Sequence, residues 1–218
     1  MSGFERERNL VLTTCAILLS AGESTRMGTP KGLLDWFGAP LAQRQAEALL
    51  EAGADEVYVV TGHRGDEVGA VLPDGRVKRV HNPDYAQGKT TSIKAGLAAL
   101  PNDVDTIILL AVDQPRPAWL IRQVLQAHQE SRAPVTSPRY RGRGGHPLIF
   151  DGALRDRLSR ITEEKEGVRE VMEEHREGMA RVEVDTPLAR LDMNTSDAYE
   201  EALRIFPDPR VTPQPGHS

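Results

Sequence analysis

Short apolar runs alternate with longer stretches of mixed polarity along the chain, and each run has the length of a β-strand. The first four runs predict strands over 14–20, 56–61, 77–80 and 106–112. The run 106–112 is apolar at almost every position, which is typical of a strand whose two faces are both buried. Shorter runs predict further strands over 134–137, 146–150, 181–184 and 189–191.

The stretches between the runs have the spacing of amphipathic helices. In 41–51, Leu41, Gln45 and Leu49 fall on one stripe, and Gly53 follows where a left-handed cap favours glycine. The same spacing predicts helices over 64–71, 89–100, 118–130, 154–159, 167–175 and 196–205. Strands that alternate with helices predict right-handed βαβ units, and hence a three-layer α/β/α fold with a mostly parallel, Rossmann-like sheet.

The length of the chain sets the number of domains that it can form. Its 218 residues are enough for one α/β domain with a substantial core and short for two. No internal repeat or low-complexity linker interrupts the pattern, so we predict a single domain over 11–206. The mixed charges of 1–10 and the proline-rich stretch 207–218 predict a flexible segment at each end.

Charge and cysteine content narrow the classes of function. The formal net charge is −5, whereas a general nucleic-acid-binding protein needs a basic surface. The single cysteine excludes an internal disulfide and a cysteine-rich metal site. The longest apolar run near the start, 15–19, is too short to cross a bilayer. We therefore expect a cytoplasmic protein that binds neither nucleic acid nor membrane.

Residues unusual for ordinary loops follow the predicted strands, after Ser20, Val80 and Val112 and again around Asp192. The carboxyl ends of parallel strands meet at one edge of the sheet, and ligands bind outside that edge. The coincidence predicts one functional site built from these four segments.

The first of these segments, 21–31, combines glycines with positive charge. Gly22 and Gly28 let the backbone turn sharply, and N–H groups exposed in such a turn form an anion-binding concavity. Arg26 and Lys31 add fixed positive charge suited to a triphosphate. The spacing matches neither a Walker A loop nor GxGxxG, and the alternative is a solvated loop with ordinary charges.

A carboxylate, Asp113, emerges at the end of the most apolar predicted strand. Burying it unpaired is costly, so its position favours a functional role over a stabilising one. Magnesium takes oxygen ligands and often uses one or two carboxylates together with substrate phosphates, which Asp113 fits. The alternative is a helix-capping aspartate. Asp192 and Asn194 are both candidates for the second ligand, and the choice depends on a strand register that the sequence leaves open.

Two further segments carry candidate binding residues. Gly88-Lys89-Thr90 has the ending of a P-loop, but Pro83 stands where that motif needs its first glycine. The hydroxyls at 90–92 also suit a helix start, whose free N–H groups they satisfy. In the other segment, Arg139, Arg141 and Arg143 alternate with glycines before His146, which predicts a mobile basic rim for an anionic acceptor. A lone histidine is otherwise structural.

Together these motifs resemble the molybdenum cofactor nucleotidyltransferases, a MobA-like family of NTP transferases. The resemblance rests on Leu19-Ser20-Ala21-Gly22, Arg26-Met27-Gly28 and Pro30-Lys31, and continues through Val59-Val60-Thr61-Gly62, His81-Asn82-Pro83, Gly88 with Ser92, Asp113-Gln114-Pro115, Gly145-His146-Pro147 and Asp192-Met193-Asn194-Thr195. It spans nearly the whole chain, from Cys15 to Leu203. It implies a fold of the nucleotide-diphospho-sugar transferase (GT-A) type.

The resemblance implies transfer of a nucleoside monophosphate from an NTP to molybdopterin, with Mg²⁺ as cofactor and pyrophosphate as the second product. It implies catalytic roles for Lys31, Arg26 and Asp113, and metal ligation by Asp113 with Asp192 or Asn194. The implied nucleotide-binding residues are Ser20, Ala21, Gly22, Arg26, Lys31, Thr61, Asn82, Gly88 and Ser92, and the implied acceptor-binding residues are Gly145, His146 and Pro147. A molybdenum hydroxylase is the implied protein partner.

Two features of the resemblance favour the cytidylyltransferase branch and hence CTP. The first loop reads Leu-Ser-Ala-Gly, where guanylyl enzymes more often have Leu-Ala-Gly-Gly, and the chain has Gly-His-Pro at 145–147. One departure is Val112, which stands where many relatives have glycine. The alternatives are GTP as donor, a sugar-phosphate or alditol-phosphate nucleotidyltransferase, and a nucleotide-binding protein that delivers the cofactor without turnover.

Overall fold

The computed structural model describes residues 12–24 and 28–208. The predicted flexible segments 1–10 and 207–218 lie outside this part of the chain, except for Pro207 and Asp208, and Arg26 lies outside it as well. Within the described residues, no helix is both long enough and apolar enough to cross a membrane.

Four parallel strands form the first half of the sheet: β1 (Thr14–Ser20), β2 (Glu56–Thr61), β3 (Val77–His81) and β4 (Thr106–Ala111). β1 lies between β2 and β4, with Ile17 opposite both Tyr58 and Leu109. Every residue of β1 and β4 is buried, as their continuous apolar runs predict. The four predicted strands are confirmed to within one residue at each end.

The second half of the sheet is mixed in direction. It consists of β5 (Val135–Tyr140), β6 (Arg143–Gly144), β7 (Leu148–Asp151) and β8 (Ala180–Glu183). β7 pairs antiparallel with both β4 and β5, whereas β8 pairs parallel with β5. The strand order is β3-β2-β1-β4-β7-β5-β6, with β8 beside β5. The sheet is therefore parallel around β1 and antiparallel where the chain turns back beside β4.

Helices cover both faces of this sheet. In the described residues they are α1 (Leu41–Ala52), α2 (Gly65–Ala70), α3 (Lys89–Ala99), α4 (Ala118–Ser131), α5 (Arg155–Leu158), α6 (Val168–Glu174) and α7 (Ser196–Ile205). α1, α2, α4 and α7 pack on the face that includes Leu18 and Leu110, and α3, α5 and α6 pack on the face that includes Ile17 and Leu109. Successive strand side chains point to opposite faces, so β1 contributes to two separate cores. This arrangement confirms the predicted three-layer architecture.

The strand predicted over 189–191 is wrong. Pro187–Arg190 forms a 3₁₀ turn instead, in which the Leu188 N–H donates to the Thr186 hydroxyl at 3.3 Å. Proline cannot donate to a strand ladder and suits the start of such a turn. The carbonyls of Ala189 and Leu191 accept hydrogen bonds from the side chain of Arg116, and that of Ala189 also accepts from the His146 N–H at 2.9 Å.

The boundaries around the glycine- and arginine-rich turn also differ from the prediction. The strand predicted over 134–137 extends to Tyr140 because it pairs with β6, which the sequence did not indicate. The strand predicted over 146–150 begins two residues later, at Leu148. A local hairpin therefore stands where the sequence suggested a loop.

Candidate functional site

The carboxyl ends of β1 and β4 open into a cavity of about 510 Å³. Ser20, Ala21 and Gly22 line one side of it, and Asp113, just after β4, lines another. The segment 85–92, which leads from β3 into α3, contributes a third side. The predicted convergence of strand-end segments is thus confirmed for those after β1, β3 and β4.

Lys31 joins the first loop to two of the other site segments. Its Nζ donates to Asp113 Oδ2 at 2.7 Å and to Asn194 Oδ1 at 2.8 Å. These partners lie 82 and 163 residues further along the chain, so only the folded sheet brings them together. The lysine side chain is 13 % exposed and that of Asp113 is 25 % exposed, so the pair is partly screened from water but still reachable by a ligand.

The position of Lys31 depends on a tight turn against the end of β1. Lys31–Leu33 is a short 3₁₀ turn, and the Lys31 N–H donates to Ser24 Oγ at 3.0 Å. A Cβ on the buried Gly32 would lie 2.5 Å from Ser20 Oγ, so only glycine lets the turn approach the strand this closely. Sequence reasoning missed Gly32, although its place beside Lys31 in a strand-end loop was a usable signal.

Asp192 and Asn194 lie together beside Asp113 and Lys31, and which of them is the second metal ligand stays open. Met193 between them is fully buried, and its N–H donates to the Asp113 carbonyl at 2.8 Å. Its two neighbours turn outward, where Asn194 Nδ2 donates to Asp192 Oδ1 at 2.7 Å. Burial raises the pKa of Asp192, and the nearby Asp113 carboxylate raises it further. A cation bound between the two carboxylates would relieve that repulsion.

The oxygen atoms at this site can be compared with the ligands that the implied magnesium ion needs. Among the described residues, no three His, Cys, Asp or Glu side chains come together as a metal cluster. The site offers the carboxylates of Asp113 and Asp192 with the amide oxygen of Asn194. A small set of hard oxygen donors fits Mg²⁺, which usually keeps water and substrate phosphates as its remaining ligands.

Gly88 and Ser92, two of the residues implied in nucleotide binding, line the cavity. Asn82 lies behind them and is only 3 % exposed. Its Nδ2 donates to Thr91 Oγ1 at 2.9 Å and to Ser92 Oγ at 3.0 Å, and its Oδ1 accepts from the Asp84 N–H at 3.0 Å. Asn82 therefore holds the start of α3 in place and acts on the cavity only through its neighbours.

Thr61 does not line the cavity, contrary to the role that its motif implied. Its side chain is fully buried, and its hydroxyl donates to the Val80 carbonyl at 3.4 Å. It faces Gly65 at the start of α2, where an added Cβ would lie 3.0 Å from Thr61 Oγ1. The residue ends β2 on the face that packs against α2, so it belongs to the core and not to the site.

A second cavity, of about 450 Å³, adjoins the first at Lys89. Gly145 lines it, and Pro147 is buried outside it. The main chain at Gly145 packs so closely against the Ala189 carbonyl that no side chain fits there. The segment implied in acceptor binding is therefore in a cavity next to the first one, held against the turn 187–190.

His146 also lines the second cavity and is half-buried. Burial lowers its pKa to about 3, and the charges of Arg116 and Lys89 lower it further in the same direction. The imidazole is therefore neutral at neutral pH, with one ring nitrogen as donor and the other as acceptor. It suits recognition of a neutral polar group and does not supply a fixed positive charge.

The predicted basic rim lies outside both cavities. Arg139 donates to the Gly142 carbonyl at 2.6 Å, and Arg141 stacks over the Tyr140 ring with its guanidinium carbon 5.1 Å from the centroid. These two residues, and Arg143 in β6, line neither the first nor the second cavity. Arg139 does line a further cavity, of about 600 Å³, which shares Ser137, Gly144 and Arg169 with the second, so contact between the rim and an acceptor stays a prediction.

Sequence reasoning missed Arg116, which is completely buried. Its guanidinium donates at 2.8 to 2.9 Å to four main-chain carbonyls, those of Pro115, His146, Ala189 and Leu191. Burial lowers its pKa to about 9, although Asp192 and Asp113 favour its charge. The residue ties the loop after β4 to the two other segments of the site. Its place between two prolines, three residues after Asp113, was the signal available in the sequence.

Two characterised proteins match most of this chain. It is 32 % identical over 161 residues to the nicotine blue oxidoreductase of Paenarthrobacter nicotinovorans. This match covers 70 % of this chain and 78 % of the relative. It is 28 % identical over 202 residues to the molybdenum cofactor cytidylyltransferase of Escherichia coli (strain K12), which covers 87 % of this chain and 95 % of the relative. The two relatives are named for different activities. Similarity to both therefore indicates a shared family but does not identify the substrate of this chain.

The structural and family matches agree with the geometry of the site. The fold matches that of Rv0371c from Mycobacterium tuberculosis H37Rv with a TM-score of 0.78 at 25 % sequence identity, covering 88 % of this chain and 98 % of that one. Residues 16–179 match the model of the MobA-like NTP transferase domain, and this range includes Lys31, Asp113 and the residues that line both cavities. The chain therefore belongs to the MobA-like NTP transferase family and is an enzyme of the nucleotidyltransferase type.

Proposed function

We propose that this enzyme transfers a cytidine monophosphate group from CTP to the phosphate of molybdopterin and releases pyrophosphate, with Mg²⁺ bound at the site. The observation that carries the proposal is the bridge from Lys31 to Asp113 and Asn194 at the edge of the first cavity. Phosphoryl-type transfer depends on positioning and on neutralising charge, and these three side chains supply both.

The first cavity suits the triphosphate. The loop 21–24 follows β1 at the ligand-binding edge of the sheet, and its main chain lies along the cavity wall. Lys31 enters the same cavity and can exchange its carboxylate partner for triphosphate oxygens. The role proposed for Arg26, which lies outside the described residues, rests on its motif. CTP is favoured by the Leu-Ser-Ala-Gly loop and by the similarity to the Escherichia coli cytidylyltransferase.

Asp113 and Asp192, with the amide oxygen of Asn194, would hold the magnesium ion. When bound, the ion offsets negative charge on the triphosphate and on the leaving pyrophosphate. Lys31 then has two roles in the protein. It binds phosphate oxygens, and by leaving Asp113 it frees the carboxylate oxygen that accepts from its Nζ.

The proposed step needs no protein nucleophile. An oxygen of the acceptor phosphate attacks the α-phosphorus of CTP and forms a new P–O bond in line with the leaving group. The bond from the α-phosphorus to the oxygen that bridges to the β-phosphorus breaks, and pyrophosphate leaves with that electron pair. The acceptor phosphate is already ionised, so no proton has to move to a side chain. The protein contributes orientation and positive charge.

Molybdopterin as acceptor rests on the family and on the similarity to the cytidylyltransferase. A second cavity beside the first gives the acceptor a place next to the triphosphate. A molybdenum hydroxylase that takes up the product is the protein partner we propose. The proposed location is the cytoplasm, where nucleoside triphosphates are available.

A transfer assay tests the proposal. The pure protein is incubated with molybdopterin, Mg²⁺ and either CTP or GTP at equal concentration, and the product mass and released pyrophosphate are measured. We expect the cytidylylated product with CTP and much less guanylylated product. Equal or better yield with GTP would overturn the base assignment. Transfer only to sugar or alditol phosphates would overturn the acceptor, and nucleotide binding without pyrophosphate release would indicate a delivery protein.

Because one relative is named an oxidoreductase, a further experiment tests for redox activity. The same protein is incubated with reduced nicotinamide cofactors and redox dyes, and their absorbance is followed. Redox turnover in the absence of any pyrophosphate release would contradict the proposed transfer. Asp113→Asn serves as the negative control in the transfer arm because it removes the charge at the proposed metal site.

A further inference from the structure

The two cavities have a single lining residue in common. The first, of about 510 Å³, and the second, of about 450 Å³, meet at Lys89, the first residue of α3. Each of the other described residues that line them belongs to one cavity alone. A group that reaches across this junction contacts Lys89 from either side.

The side chain of Lys89 is exposed and has no ion-pair partner among residues 12–24 and 28–208. Three cations line the described parts of the two cavities: Lys31, Lys89 and Arg169. Lys31 pairs with Asp113 at 2.7 Å, and Arg169 pairs with Glu166 at 3.6 Å. Within the described chain, no carboxylate lies within 4.0 Å of the Lys89 ammonium group. The exposed ammonium group of Lys89 is therefore available to an anionic group of a ligand at the junction.

The main chain at Lys89 is fixed even though its side chain is free. Gly88 before it has φ of 123°, and an added Cβ there would lie 2.5 Å from Glu163 Oε1. The Thr90 N–H after it donates to the same Glu163 oxygen at 2.6 Å. The Glu163 carboxylate is thus held by the start of α3 and does not reach the lysine. A rigid attachment point with an unpaired ammonium group suits a residue that binds a ligand.

In-line transfer requires the attacking oxygen and the α-phosphorus to approach within about 3 to 3.5 Å. If the triphosphate occupies the first cavity and the acceptor the second, this approach has to take place at their junction. Resting on the proposed function, we infer that Lys89 is a catalytic residue that binds the α-phosphate of the triphosphate and the phosphate of an acceptor seated in the second cavity. Its charge stabilises the negative charge shared by the attacking and transferred groups.

The second cavity also indicates the class of acceptor. Its wall combines the apolar side chains of Ile93, Leu148 and Met172 with the neutral polar groups of His146 and Ser137, and it also includes the charged side chains of Glu163, Glu166 and Arg169. Such a lining fits a ring system that carries polar substituents, and Lys89 at the junction is placed to take a phosphate attached to it.

The test compares Lys89→Met with Lys94→Met. Lys94 lies in the same helix and lines neither cavity, so its variant controls for the loss of a lysine from α3. For Lys89→Met we expect kcat/KM for molybdopterin to fall about 100-fold, with a lower kcat and a higher KM, because one charge-stabilising contact is lost. CTP affinity and Tm should change little, and Lys89→Arg should restore part of the rate. Lys94→Met should match the wild type.

A binding measurement separates this inference from the proposed function. The probe is neopterin 3′-phosphate, whose fluorescence reports binding to the wild type, to Lys89→Met and to Met172→Arg, which fills the second cavity. Suppose that the wild type binds the probe, that both variants bind it more weakly, and that the enzyme transfers nothing to molybdopterin. This result would support the role of Lys89 and of the second cavity in binding, and it would overturn the proposed function. Normal transfer by Lys89→Met, or binding that neither variant weakens, would overturn the inference.

Discussion

Lys31 and Arg116 are two cations at the same edge of the sheet, and they are bound in opposite ways. Lys31 is 13 % exposed and donates to side-chain oxygens of Asp113 and Asn194. Arg116 is fully buried and donates to four main-chain carbonyls. Both lie close enough to Asp113 to sense its charge, so proximity to the carboxylate does not distinguish them.

The difference lies in what can replace each cation's partners. At the cavity edge, the side-chain oxygens that now bind Lys31 can bind a metal ion instead. Lys31 can then bind phosphate in place of those oxygens. Main-chain carbonyls in a buried position have no such alternative, because an unsatisfied buried carbonyl is costly. Arg116 therefore fixes the shape of the loops, whereas the role that we propose for Lys31 is in the chemistry. Each substitution below is expected to affect stability or activity, but not both.

The largest expected effect is the loss of stability in Arg116→Met. Methionine fills similar apolar space but removes the Arg116 donor from four main-chain carbonyls, of which that of Ala189 keeps a hydrogen bond from the His146 N–H, so we expect a loss of about 3 kcal/mol or more and a Tm lower by roughly 6 to 12 °C. Arg122→Met, an exposed arginine on α4, is the matched control and should melt within about 2 °C of the wild type. If the two variants have the same Tm, water satisfies the carbonyls in place of Arg116. The proposed difference between Arg116 and Lys31 would then be wrong.

Asp113→Asn should have the largest effect on activity. The amide keeps the size and most hydrogen bonds of the side chain but removes the charge at the proposed metal site, so we expect kcat to fall by roughly 100- to 1000-fold. A magnesium titration of activity, run beside thermal melting, measures both consequences. Tm without metal should stay the same or rise slightly, because a partly desolvated carboxylate is gone.

Asp103→Asn is the control for this substitution, since Asp103 is exposed at the opposite end of β4. If Asp113→Asn keeps the wild-type rate and magnesium dependence, the metal assignment is wrong. If it unfolds, Asp113 is structural and belongs with Arg116 in the comparison.

Lys31→Ala should lower turnover about 100-fold while leaving the free energy of unfolding within about 1 kcal/mol of the wild type. The lysine is near water and its partners are side chains, so little of the fold depends on it. Steady-state kinetics with CTP and urea denaturation measure the two quantities. Lys78→Ala, which removes an exposed lysine paired with Glu56, is the control. A full-rate Lys31→Ala enzyme would remove the phosphate-binding role of the first loop.

The smallest expected effect is on the pH dependence of stability, through His146. Its folded pKa of about 3 lies below the value of about 6.5 for an unfolded histidine. Between these values the unfolded chain binds more protons than the folded one, so stability is present above pH 6.5 and falls as the pH drops towards 3. His146→Gln should make Tm fall less steeply over this window. An unchanged slope would mean that the ring takes up a proton as readily in the folded protein as in the unfolded chain, and that its pKa is not lowered by folding.

The sequence predicted most of the scaffold because apolar runs report burial directly. β1 and β4 could be placed to within a residue, and so could Asp113, since a carboxylate at the end of such a run stands out. The predicted strand over 189–191 failed because its carbonyls bond to Arg116, 73 and 75 residues away. A contact of that range leaves no periodic signal in the segment itself.

The sequence predicted which segments come together at the site. It did not predict which side chains of those segments contact one another or line the cavities. Thr61 sits in a motif beside the site, but the direction of its side chain depends on the packing of α2, which the motif does not report. Lys89 was set aside with the P-loop that it does not form, since its importance depends on where two cavities meet. Residue types and strand ends are local properties, whereas burial and cavity geometry are properties of the whole chain.

The bonds of Arg116 to main-chain oxygens have a consequence for which positions of this chain tolerate substitution. A carbonyl is present whatever the side chain, so residues 115, 146, 189 and 191 can change identity during evolution without loss of these hydrogen bonds. Loops held in this way keep their course while their side chains are free to adapt to new substrates.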